Sequence, residues 1–517
     1  MSTSADSVHS APVAAGGRFM ITVAVMSATL IQVLDTTIVN VALPHMQGEL
    51  GATADQISWV LTSYLVSSAI CMPLTGYFAD VMGRKRFLLT CIAGFVAASA
   101  LCGISQSLTQ IVMFRLLQGV FGAALVPMSQ AIMADSYPLQ ERGRAMAIWG
   151  LGVMVGPILG PTLGGWLTEI ASWRWTFYIN LPVGALSLFL AAQYVPDTVK
   201  RARKMDWTGM GLLALGVAAL QYMLDRGNHQ DWFDADDIRV AAVCAVVGLA
   251  AFTWYSYSKG SHAVFDIRIF KDRNFASSCL IMGSMGLGMF GSLVLQPILL
   301  EGLLGYPIIT TGIVMAPRGV ATAIAMMFVG RLVNVIDARL LVLVGIAISA
   351  VGSWMMTFYS LEISTWNIIL PAFLQGIGLG LVFVPLSTIA YATMPRSRMA
   401  EAAGIYSLVR TIGSAIGISI ATTVLTHQTQ IIWNELGAHI NVYHEALLHY
   451  LQQLHLRPND PRALALVARQ VGQQAEMGAM LDVFKLITLS YAFMLPLLLL
   501  LKKSTGPRGP APAAHAE

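Results

Sequence analysis

Charge is what this chain of 517 residues has least of: 11% of it is Asp, Glu, Lys or Arg, against 56% hydrophobic residues. Soluble domains carry about 25% charged residues, so a water-solvated surface around the whole chain is excluded. Cysteine is scarce too. Cys71, Cys91, Cys102, Cys244 and Cys279 fall in or beside apolar runs without metal-ligand spacing or evident disulfide partners, and read as small apolar residues. A nucleotide-binding loop, a nucleophile–base set and a metal cluster are all missing, so neither an enzyme nor a bound cofactor or metal is expected. The net charge of +4 is modest and its basic residues sit in short loops, which argues against binding nucleic acid.

What the chain has is apolar length. Runs near 19–40, 57–78, 87–107, 110–133, 145–168, 176–195, 207–224, 238–258, 275–297, 307–329, 340–359, 366–390, 403–425 and 482–501 each approach the length a bilayer requires. Barrel strands would be short and alternating. The expected fold is an all-α polytopic membrane protein of about fourteen helices. The first run is too long for a cleaved signal peptide.

Basic residues recur in every second loop, beginning with Arg84, Lys85 and Arg86 and ending at Lys502 and Lys503. The alternate loops include residues 225–237, with five acids in thirteen residues. The positive-inside rule puts both termini in the cytoplasm.

An internal repeat organises the chain. Leu117-Gln118-Gly119 through Pro127 and Ser129 resembles Leu374-Gln375-Gly376 through Pro385 and Ser387. Gly156 and Gly160 align with Gly413 and Gly417, and Gly76 and Asp80 with Gly330 and Asn334. The expected domains are a tail at 1–17, a six-helix bundle at 18–195, two extra helices at 207–258, a second six-helix bundle at 275–502 and a disordered tail at 503–517. Within the second bundle, residues 426–481 read as a helical hairpin outside the membrane, with Glu445–His455 and Pro461–Met480 as its helices.

A few polar groups interrupt the apolar runs. Asp35 lies in the first run, where an acid is costly and by default functional; desolvation raises its affinity for a proton. Arg115 in the fourth run needs an acceptor, and Asp35 is a candidate. Arg318 and Arg410 are further intramembrane cations, able to attract an anionic substrate or to pair within the bundle; Gln118 joins them as a cavity candidate. Asp225 and Glu301 are secondary proton or cation candidates near the outer vestibule. Gly76, Asp80, Gly83 and Arg84 form a compact turn suited to a charged latch. Gly152, Gly156, Pro157, Gly160, Pro161, Gly164 and Gly165 crowd one run, where small residues four apart allow close helix packing.

Three of these stretches, 76–86, Arg115-Leu-Leu-Gln118-Gly119 and 152–165, resemble signature motifs of the major facilitator superfamily. With Leu34-Asp35-Thr36-Thr37, Trp173–Pro182, Leu224-Asp225-Arg226-Gly227 and Arg273-Asn274-Phe275, they resemble the fourteen-helix drug:proton antiporter group, of the EmrB-type inner-membrane multidrug pumps. The resemblance implies the major facilitator fold, two six-helix halves plus two extra central helices. It implies export of amphipathic compounds across the bacterial inner membrane by alternating access, driven by the proton gradient. Asp35 and Arg115 would couple protons, and 152–165 would be a gate hinge that seals against proton leak. A periplasmic membrane-fusion adaptor and an outer-membrane channel are implied partners, with 426–481 as the docking element. The second latch departs from the pattern, with Asn334 and Asp337 in place of Asp80 and Gly83. A dedicated exporter of one metabolite, siderophore or lipid-like molecule, and a non-transporting sensor of the same fold, stay open as alternatives.

Overall fold

Hydrocarbon offers no hydrogen bonds to a peptide group, so each apolar run satisfies its backbone internally as a helix. The computed structural model describes residues 15–138, 141–198, 200, 204–333, 335–395, 398–440, 445–453, 456–457 and 460–501. Among the described residues, thirteen helices are long and apolar enough to cross a membrane. Four precede the glycine-rich run: α1 (Gly17–Leu50), α2 (Gln56–Met82), α3 (Arg84–Ile104) and α4 (Leu108–Ser136). The run itself is α5 (Arg142–Ile170), a further long helix with no charged residue between Ala145 and Trp166. Then come α6 (Trp175–Tyr194), α7 (Trp207–Gln230), α8 (Asp236–Lys259), α9 (Arg273–Leu303) and α10 (Thr310–Leu332). The last four are α11 (Ala338–Met356), α12 (Thr365–Ala392), α13 (Met399–Ala438) and α14 (Pro461–Leu500).

Helix α1 packs on α5, α6 and α4, while α12 packs on both α10 and α11. The inserted pair α7 and α8 packs on itself and reaches both sets, α2 on one side and α13 on the other. Its link to α13 is polar: Ser419 donates to the Leu224 carbonyl at 2.9 Å and Trp232 Nε1 to Thr423 at 3.1 Å.

The first six helices meet the last six at the end where Arg84 and Arg142 lie, and again at the other end, where a Cβ on Gly312 would sit 2.7 Å from Thr162. A Cβ on Gly76 would sit 2.8 Å from the Glu401 backbone, one on Gly330 2.9 Å from Ala147, and one on Gly404 3.0 Å from the Met72 carbonyl. Trp149 stacks on Phe383 at 5.8 Å, and Tyr391 donates to Gln130 at 2.9 Å.

Both helices expected within 426–481 are present, and the segment is continuous with the membrane helices on either side. Residues 426–438 continue α13 and 461–481 open α14; the one separate helix described between them is Glu445–Gln453. His455 lies outside the described residues. The reason is local: after Gly417 no Gly or Pro occurs before Gly437, so nothing stops the helix as it leaves the apolar region. At the other end Asp460 caps the Arg462 N–H at 2.8 Å and Pro461 opens the first turn. With 40 residues, α13 spans about 60 Å. A hydrocarbon core of about 30 Å leaves much of that length outside.

Helix α9 is irregular twice, with π turns at Leu287–Gly291 and Ile298–Leu303. The first lies where α9 and α13 nearly touch. A Cβ on Gly413 would stand 2.7 Å from Gly283 Cα, and one on Gly417 2.5 Å from Leu287 Cα. Gly413→Ala is therefore expected to lower stability by about 2 kcal/mol or more, read as a lower Tm in detergent. Gly472→Ala, with open space around it, should leave Tm unchanged or raise it.

Candidate functional site

Asp35 is the centre of a polar cluster from which solvent is shut out. Its Oδ2 accepts from Arg115 Nη1 at 2.5 Å; its Oδ1 accepts from Gln118 Nε2 and from Asn180 Nδ2, both at 2.9 Å. Arg115 and Gln118 stand three apart on α4, so one helix face presents both, and Arg115 also donates to Gln118 Oε1 at 2.9 Å. The guanidinium is further held by the Val60 carbonyl at 3.0 Å and by the Tyr64 ring, 4.3 Å from its centre. Asn180 donates to Ser99 at 3.0 Å, and Ser99 to the Phe177 carbonyl at 2.9 Å. Asp35, Ser99, Arg115, Gln118 and Asn180 are all 0% exposed. Five helices, α1, α2, α3, α4 and α6, thus converge on one carboxylate.

An acid this deep ordinarily faces an aqueous cavity. Here a cation and two amides replace the water, which is the condition under which a buried charge is tolerated. Gln118 belongs to this cluster and is shut away from any cavity. Arg115 Nη2 and Asn180 Oδ1 have no hydrogen-bond partner among the described residues, so the cluster holds spare capacity for rearrangement.

The helix beside it explains the glycines. On α5, a Cβ at Gly156 would come within 2.9 Å of the Val33 backbone, and one at Gly164 within 2.7 Å of the Ile38 carbonyl. At Gly152 and Gly160 it would overlap Met26 and Thr37. Thr37 donates to the Gly156 carbonyl at 3.1 Å. The glycines therefore form a groove for the turns of α1 that carry Asp35. Gly165 is half-buried, and the backbone at Pro157 and Pro161 is helical; their side chains are outside the described set.

In the latch, Gly83 has φ +82°, a conformation that favours glycine, where α2 turns into α3. Arg84 pairs with Asp135 of α4, and its backbone N–H donates to Thr198 at 2.9 Å. Gly76 makes the contact to Glu401 of α13, which is itself paired with Arg398 at 3.2 Å. Asp80 is half-buried within the same turn. Asn334 lies outside the described residues, and Asp337 caps α11 through the Arg339 N–H at 3.1 Å.

Asp225 and Glu301 are not brought to Asp35. Asp225 on α7 accepts from Thr62 of α2, beside Arg226, whose guanidinium lies 5.0 Å from the Trp59 ring. Glu301 is exposed in the second π turn of α9. Arg318 is buried, donating to Ser292 and Gln296, each at 3.4 Å, and to the Met289 carbonyl at 3.2 Å. Arg410 is half-buried on α13, within electrostatic range of Tyr391 and Tyr406.

Residues 25–418 match the family model described as Major Facilitator Superfamily. The chain belongs to the major facilitator superfamily. It is 33% identical to the multidrug export protein EmrB of Haemophilus influenzae over 490 residues, 94% of this chain and 96% of that protein. It is 34% identical to the fatty acid resistance protein FarB of Neisseria gonorrhoeae, covering 93% of this chain and 96% of that one. Among solved structures, the xylose symporter XylE matches with a TM-score of 0.59 at 13% identity, covering 91% and 96% of the two chains. The human organic anion transporter MFSD10 matches with a TM-score of 0.58 at 16% identity, covering 92% and 99%. A major facilitator protein of this kind is a multi-pass membrane transporter and not an enzyme.

Sequence reasoning missed Asn180, Ser99, Tyr64, Asp135 and Glu401. A signal existed for Asn180, an amide inside an apolar run, which needs partners once buried. Asp135 and Glu401 sit near helix ends, where a carboxylate costs nothing and so attracts no notice. Arg115→Met would strand the Asp35 charge, and should cost about 3–5 kcal/mol. The double variant Arg115→Met with Asp35→Asn should regain most of it, measured as Tm in detergent; equal losses in both would show that the pair is not coupled.

Proposed function

We propose that this major facilitator protein is a proton-driven exporter of amphipathic compounds across the bacterial inner membrane, working by alternating access. The observation that carries the reading is the Asp35 cluster: a mid-helix acid paired with Arg115 beside the α1–α5 groove. The names of the relatives, multidrug export and fatty acid resistance, support apolar, chemically varied cargo.

A proton arriving at Asp35 cancels its charge. Arg115 then loses its ion pair, and Gln118 and Asn180 lose a charged acceptor. The groups rearrange around the same carboxyl, and α1 shifts in its glycine groove. Because a Cβ would obstruct α1 at Gly152, Gly156, Gly160 and Gly164, these positions serve as a sliding hinge; tight packing there also denies protons a path past Asp35. Basic loops belong in the cytoplasm, and so does the end that carries Arg84 and Arg142. On this reading the contact of Gly76 with Glu401 closes the cytoplasmic side, and both termini are cytoplasmic.

One proton supplies about 1.4 kcal/mol per pH unit and about 2.3 kcal/mol per 100 mV. Together these support a gradient of a few hundredfold for a neutral substrate moved against one proton. The outer extensions of α13 and α14, with Glu445–Gln453, suit docking of a periplasmic adaptor that leads to an outer-membrane channel.

In energised vesicles, Asp35→Asn should abolish uncoupler-sensitive dye export, while Asp35→Glu keeps part of it. Undiminished, uncoupler-sensitive export by Asp35→Asn would remove Asp35 from coupling. Shortening α13 and α14 outside the membrane should abolish adaptor pull-down without changing export in vesicles.

A further inference from the structure

The two sets of six helices differ in the charge they carry inside the membrane. In α1–α6 the mid-helix acid Asp35 is balanced by Arg115. In α9–α14 two guanidiniums, Arg318 and Arg410, lie within helices with no acid at mid-depth: residues 273–300, 310–332, 338–356, 365–392, 402–434 and 483–500 contain no Asp or Glu. Arg318 is held by neutral acceptors at 3.2–3.4 Å, longer than the ~2.7–2.9 Å of a charge-assisted bond. Arg410, half-buried, is in none of the ion pairs formed among the described residues. A cation inside the membrane span without a counter-charge is a standing demand for an anion.

Around Arg410 that demand is shared by unused donors. Tyr391 donates to Gln130 Oε1 at 2.9 Å, and Gln130 Nε2 has no partner among the described residues. The hydroxyls of Tyr406, whose ring lies 5.6 Å from that of Tyr391, and of the adjoining Ser407 have no partner among the described residues. Gln130, Tyr406 and Ser407 are each 0% exposed. A guanidinium with spare N–H and O–H donors beside it complements the lone pairs of a carboxylate, and is the wrong lining for an ammonium.

We propose that Arg410 is the head-group site for a monoanionic amphipath, a carboxylate on an apolar tail, with Gln130 and Tyr406 as its neutral donors. The proposal rests on the export reading above and adds the substrate's charge and the residue that reads it. It has a consequence for energetics. An anion leaving while a proton enters moves two charges per cycle, where a neutral substrate moves one. The substrate gradient then responds to membrane potential twice as steeply.

The test uses the full-length protein in proteoliposomes with three probes of one tail length: dodecanoate, dodecyltrimethylammonium and uncharged dodecyl glucoside. The wild type should bind dodecanoate about ten- to a hundredfold tighter than the ammonium. Arg410→Gln should erase that preference and leave glucoside affinity intact, which also reports that the variant is folded; Arg410→Lys should keep most of it. An unchanged preference in Arg410→Gln, or a preference lost in Arg318→Gln instead, overturns the assignment. If the ammonium and glucoside drive proton counter-flow as well as dodecanoate does, charge selection fails while export stands. If none of the three drives it, the export reading itself falls.

Discussion

One buried ion pair sets the terms for the first half of this molecule. Asp35 and Arg115 are both 0% exposed and 2.5 Å apart, and neither is tolerable there without the other. Everything near them serves that constraint. Gln118 and Asn180 fill the carboxylate's remaining lone pairs, the Val60 carbonyl and the Tyr64 ring occupy the guanidinium, and Ser99 positions Asn180. A cluster so nearly satisfied is rigid in one protonation state and mis-satisfied in the other, which is what a switch requires.

Movement needs a surface to move on, and the glycines provide it. The α5 groove holds the turns of α1 around Asp35, and the α9–α13 contact repeats the device with glycine on both helices. The two contacts are not equivalent. The first lies beside a charge pair, whereas the second lies beside a π turn whose Met289 carbonyl accepts from Arg318. The fold is repeated, but the chemistry has been divided: acid and cation on one side, cations alone on the other.

Much of this was legible in order of residues alone. Apolar length and the alternation of basic loops specify fourteen helices, because hydrocarbon leaves the backbone no alternative. Asp35 and Arg115 announce themselves because charge in hydrocarbon is conspicuous. Asn180 and Ser99 are quieter: both are small polar residues that apolar runs often carry, and only their convergence from α6 and α3 gives them a role. The crossing of Gly76 to Glu401 could not be read, since a glycine's usefulness depends on what approaches it. The outer segment was read as a separate hairpin because hydropathy marks where the membrane ends, and helices do not have to end there. Polar residues such as Gln428 and Gln430 propagate a helix as well as apolar ones do.

The central claim is that Asp35 is the group that exchanges a proton for substrate. Its most direct measurement is the proton released when an amphipathic substrate is added to the detergent-solubilised protein in weakly buffered solution, followed with a pH-sensitive dye. The account predicts release from the wild type, saturating with substrate, and none from Asp35→Asn that still binds the substrate. Equal release from the two proteins would contradict it.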